Sequence, residues 1–105
     1  MIDINQLRQI NLSERIAITA HAQQRLEERI ISIKDVIKVI DEGEIIQQYE
    51  EDKPLPSCLI LGMTIHNKYL HVVVSTDDEY IYLITAYYPT LDQWEDDYKT
   101  RRNVR

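Results

Sequence analysis

Residues 57–88 read SCLILGMTIHNKYLHVVVSTDDEYIYLITAYY, and the fold follows from how that stretch divides. Ser57–His66, Tyr69–Ser75 and Tyr80–Tyr88 are rich in valine, isoleucine, leucine and tyrosine, which favour extended, half-buried backbone. Asn67-Lys68 and the acidic Thr76–Glu79 separate them and are long enough only for turns. Strands joined this tightly form an antiparallel meander. Upstream, Glu44–Glu50 has the pattern of one more strand. Asp52-Lys53-Pro54-Leu55-Pro56 must be a loop, because proline cannot donate to a central ladder. Pro89 ends the last strand. The expected sheet is four-stranded and antiparallel.

Before Glu44 the apolar residues change period. Ile4, Leu7 and Ile10 fit a short helix capped by Asp3. Thr19 is placed to cap the amide of His21 or Ala22 and start a second helix. On a helical wheel Ala22, Leu26 and Ile30 fall about 100°, 140° and 180° from His21, which makes them the buried face. Ser32 followed by Asp35 is a variant capping box, and Ile33, Val36, Ile37 and Ile40 form the stripe of a third helix. Gly43 suits the position just past its end. Asp92–Thr100, with Trp94 and Tyr98 four apart, is expected to add a short C-terminal helix. Helices first and strands afterwards indicate an α+β domain with the N-terminal helices on one face of the sheet. Its parts are an N-terminal helix and lead-in (1–17), a helical pair (18–43), the sheet (44–88) and the C-terminal helix with a basic tail (89–105).

A chain of 105 residues is expected to form a single domain. The formal charge of -6 argues against a general nucleic-acid-binding protein. The acidity is local, in Glu50–Asp52, Asp77–Glu79 and Asp92–Asp97, and the tail reverses sign with Lys99, Arg101, Arg102 and Arg105. A single cysteine, Cys58, permits no intrachain disulfide and fits a reducing compartment. With an acidic start and no long apolar run, a cytoplasmic protein without a membrane span is expected. Metal-ligand spacings such as HxxxH, HExxH or CxxC are missing, and Gly43 and Gly62 cannot build a phosphate loop. No metal or cofactor is expected.

Two histidines are the candidates for chemistry. Helix geometry puts His21, Arg25, Glu28 and Arg29 on one stripe beside the buried face. His71 opens the valine-rich strand Leu70–Val74. An imidazole beside two fixed cations suits acid–base chemistry on a phosphate. The same residues satisfy a structural reading. His21 then merely occupies a first helical turn, Arg25, Glu28 and Arg29 form a solvated ion-pair face, and His71 is a satisfied strand residue.

Residues 18–29, ITAHAQQRLEER, resemble the opening motif of domain-of-unknown-function family 4258. Gly43–Ile46, Asp52–Leu59, Leu70–Val74, Ile84–Tyr87, Trp94 and Lys99–Arg102 continue the likeness. The family pattern has glycine where this chain has Ile30, so a helix–helix turn built on glycine is expected to run differently or more rigidly here. The family is similar to the RelE and barnase-like endoribonuclease toxins in its order of helices and sheet. The resemblance therefore implies a metal-independent toxin-like ribonuclease of a bacterial toxin–antitoxin pair, with RNA as substrate and an MqsA-type zinc-finger antitoxin as partner. In that reading His21 and His71 are the acid–base pair. Arg25 and Arg29 bind phosphate, and Tyr87 beside Thr85 hydrogen-bonds it or stacks on a base. Arg101 and Arg102 close the site, while Glu28 orients an arginine or serves as base. The competing reading is a non-catalytic protein-binding module whose acidic surface docks a basic partner.

Overall fold

Asp35 ties the helices to the sheet. In the computed structural model, which describes residues 1–102, its carboxylate accepts from the Ser32 amide at 3.3 Å while the Ser32 hydroxyl accepts from the Asp35 amide. The expected capping box is present, and its other oxygen takes the Ile65 amide at 3.1 Å. One buried side chain thus starts a helix and fixes a strand turn. The elements run α1 (Ile4–Gln9), a 3-10 turn (Ser13–Arg15), β1 (Ile16–Ile18), α2 (Ala20–Arg29), α3 (Ile33–Glu42), β2 (Glu44–Tyr49), β3 (Ser57–Met63), β4 (Tyr69–Thr76) and β5 (Ile81–Tyr87). Arg105 lies outside the described residues.

The α+β class holds, but the sheet is five-stranded and mixed, in the order β1-β5-β4-β3-β2. β2 to β5 form the antiparallel meander. β1 was not expected; it pairs in parallel with β5, Ile16 opposite Ile81 and Ile18 opposite Leu83. Ile16-Ala17-Ile18 is too short for alternation to show, and its partner lies far along the chain. All three helices cover one sheet face. Leu7, Leu26, Val36, Val39 and Ile40 pack there with the alternate strand residues Cys58, Ile60, Leu70, Val72 and Val74. Cys58 is fully buried, and burial pushes its thiol up to about 12.

Two bulges interrupt the pairing. The one in β5 decides which side chains share a face. Val73 pairs with Thr85 but Val74 with Leu83, so Ile84 is an extra residue. Leu83 and Ala86 both enter the helix-side core as a result. Thr85 and Tyr87, paired with Val73 and His71, turn to the opposite face.

Both glycines are required by close approach. A Cβ on Gly43 would stand 2.4 Å from the carbonyl oxygens of Leu61 and Val39, and one on Gly62 3.0 Å from the Val39 Cα. Gly43 is extended, at φ -85°, so the expected left-handed helix stop is absent. Arg8 instead caps the end of α3, donating to the Ile40 and Gly43 carbonyls at 3.0 and 2.7 Å. The left-handed stop occurs one helix earlier. Ile30, expected on the buried face, is 86% exposed with φ 56°. The amide of Ile31 donates to the Leu26 carbonyl at 2.9 Å, so this isoleucine makes the turn usually left to glycine. Ile31 enters the core in its place.

The expected C-terminal helix at Asp92–Thr100 does not form. Asp97 accepts from the amides of Lys99 and Thr100 at 2.9 and 3.0 Å and from the Thr100 hydroxyl at 2.9 Å, which offers the backbone a turn in place of a helical ladder. Tyr98 sits at φ 55°, and Trp94 bridges to Arg101.

Candidate functional site

β4 and the bulged β5 place His71, Thr85 and Tyr87 on the sheet face away from the helices. The C-terminal segment crosses that face. The edge of Trp94 meets the His71 ring at 4.5 Å between centroids, and Tyr98 packs on Tyr69 at 4.7 Å. Lys99 anchors the segment to Glu44 at 2.6 Å.

His71 is fully buried and both ring nitrogens are engaged. Nε2 lies 2.8 Å from the Tyr98 carbonyl, which can only accept. Nε2 therefore carries the proton, and Nδ1 of the neutral ring accepts from the Tyr87 hydroxyl at 3.2 Å. Burial holds the imidazole below its ordinary 6.5, and the nearby Arg101 cation acts in the same direction, against the Tyr98 hydrogen bond. Burial, and then Tyr49, push the Tyr87 hydroxyl up. At neutral pH both members of the pair are uncharged.

Arg101 is near both His71 and Tyr87, while Arg29 contacts β5 two residues and one residue before Tyr87. Arg29 Nη1 donates to the Thr85 hydroxyl at 3.2 Å and the Ala86 carbonyl at 2.7 Å. Arg101 lies over the Trp94 ring at 5.0 Å. Arg102 has a structural post: it donates to the Leu91 and Trp94 carbonyls and pairs with Glu95 at 2.9 Å.

His71, Tyr87, Trp94 and Arg101 therefore form one connected group, and Arg29 binds Thr85 in the same strand as Tyr87. His21, Arg25 and Glu28 stand apart from it. They lie on the solvent side of α2, whose Ala22 and Leu26 face the core from the helix side of the sheet. His21 is exposed in the first turn, and Arg25 pairs with Glu28 at 3.7 Å. The two imidazoles are thus on opposite faces of the sheet. Sequence reading missed Trp94 and Tyr98 as the partners of His71. The signal was present in the Asp97–Thr100 turn pattern, which argues against a helix there.

Among the described residues no helix is long and apolar enough to cross a membrane. Neither the curated proteins nor the solved structures contain a match to this chain. A family model described as a domain of unknown function, DUF4258, matches residues 18–88. That span runs from the end of β1 to just past β5, more than half of the chain, and includes His71, Thr85, Tyr87 and Arg29. The chain therefore belongs to the DUF4258 family.

Proposed function

We propose that this domain is a toxin-like, metal-independent endoribonuclease whose chemistry is centred on His71 and Tyr87, with an antitoxin of the MqsA type as its partner. The observation that supports the reading is a neutral imidazole of defined tautomer, hydrogen-bonded to a tyrosine, with the Arg101 cation nearby. Cleavage of RNA without a metal needs a base for the 2′-hydroxyl, an acid for the leaving 5′-oxygen and cations for the phosphorane. Nδ1 of His71 is the base in this scheme, once Tyr87 turns from it to the phosphate. Tyr87 is the donor to the leaving oxygen, and the guanidiniums of Arg101 and Arg29 carry the phosphate. His21 takes no part, because it stands on the far side of the sheet.

The reading makes one demand on the fold. His71 is sealed by Trp94 and the Tyr98 carbonyl, so residues 89–102 must lift before RNA reaches it. Incubation of labelled RNA, free and ribosome-bound, with the purified protein tests the proposal. Wild type and His21→Ala should cleave, while His71→Ala loses at least about a hundredfold in rate, the scale of a lost acid–base group. Intact RNA with wild type, or cleavage unchanged in His71→Ala, ends the enzymatic reading and leaves a protein-binding module.

A further inference from the structure

At the other end of the same face, Tyr49, Ser57, Ser75 and Tyr82 are neighbours across four strands. This pairing sets the β2–β3 loop beside the β4–β5 turn. The two connections carry Glu50, Glu51, Asp52, Asp77, Asp78 and Glu79, all exposed. Against these carboxylates stand Lys53 and Arg15, and Arg15 is occupied with the Glu79 carbonyl at 3.2 Å. Asp77 is held rigidly, accepting from the amides of Glu79 and Tyr80 and from the Tyr82 hydroxyl at 2.6 Å. These hydrogen bonds keep its carboxyl below the usual range, so the charge persists at neutral pH.

Between the Pro54 loop and the β1–β5 edge runs a groove of about 1020 Å³. Its apolar lining comes from Ala17, Ile18, Pro54, Leu55 and Ile84, and its charged residues are the carboxylates Asp52 and Asp77 and one cation, Lys53. The bulge residue Ile84 is 45% exposed here. An apolar trough flanked by fixed negative charge selects its occupant by sign. Phosphate chains are repelled, and an acidic second copy of this chain is disfavoured. A segment with aliphatic side chains for the trough and cations for the flanks fits both features.

We propose that this groove docks an extended segment of a partner protein in which aliphatic residues alternate with lysine or arginine. The docking does not depend on whether the His71 face cuts RNA. A fluorescein-labelled heptapeptide alternating lysine and leucine is the probe, and anisotropy and amide NMR are the readouts. Binding should weaken about tenfold or more when glutamate replaces lysine in the peptide, when serine replaces leucine, or when salt is raised. The amide signals of Ala17, Ile18, Leu55 and Ile84 should move on titration of the wild-type protein. The double variant Glu51→Gln/Asp52→Asn and the single variant Leu55→Ser should each lose about fivefold or more in affinity with unchanged circular dichroism. Absence of binding overturns the proposal, as does equal affinity for the glutamate peptide or for a uridine oligonucleotide. Signal changes confined to α2 or the C-terminal segment overturn it as well.

Discussion

His71 uses its whole hydrogen-bonding capacity inside the protein, and acid should therefore test it directly. Its proton affinity is lower in the folded chain than the ordinary 6.5, chiefly through burial. As pH falls below that value the unfolded chain binds more protons than the folded one, so unfolding gains. The stability associated with His71 should be complete above about pH 6.5 and decline as acidity carries the solution down through the folded value. Urea midpoints measured across this range should show the decline. His71→Gln should flatten it, and an unchanged slope in that variant would assign the effect to other groups. A second residue-scale expectation concerns Ile30. A β-branched side chain in left-handed backbone is strained, and this one is 86% exposed, so little is lost by removing it. Ile30→Gly should stabilise the domain by about 1 kcal/mol, read as a higher urea midpoint. Ile30 also marks where periodicity misleads. The wheel placed it with Ala22 and Leu26, but the helix stops at Arg29 and the next residue leaves the wheel. Of the two expectations for the missing glycine, a turn that runs differently or a more rigid join, the first is not met, since Ile30 adopts the left-handed conformation itself.

At the scale of elements, the candidate site is made by one inserted residue. Strict alternation along Ile81–Tyr87 would send Thr85 and Tyr87 toward the helices. Ile84 resets the count and delivers both to the face of His71. No local pattern announces that shift, because isoleucine is as ordinary within a strand as beside a bulge. The four long strands and three helices were legible because each has a period or a cap of its own. β1 was not legible, since its three residues acquire meaning only opposite Ile81–Leu83. The seat of α3 on β3 is equally specific. An added methyl at Gly62 meets the Val39 backbone at 3.0 Å, so α3 must give by a few tenths of an ångström there. Gly62→Ala should cost about 1–3 kcal/mol, measured as a lower thermal midpoint, while the secondary structure by circular dichroism stays the same.

Over the whole molecule, the acidic charge is gathered unevenly. The Glu50–Asp52 and Asp77–Glu79 carboxylates meet at one end of the sheet with few cations among them, whereas Arg102 in the C-terminal segment is paired with Glu95. The net charge of -6 conceals this difference, which is why composition alone argued against a nucleic-acid partner without describing either end. The paired expectation from sequence, two histidines around one anion pocket, fails at this scale. His21 and His71 each sit in the expected element, but the sheet separates them.

β1 has one more consequence. Ile81–Tyr87 reads IYLITAY, seven residues with no charge, glycine or proline and a high content of branched and aromatic side chains. Such a segment is a template for cross-β stacking wherever its flank is bare. The three residues of β1 are the plug over that flank at Ile81–Leu83. Ile16→Asp combined with Ile18→Asp detaches the plug and leaves the segment itself untouched. That variant should form thioflavin-positive aggregates at concentrations where wild type stays dispersed, with light scattering as the readout. A clear solution of the double variant would mean that another part of the molecule guards this edge.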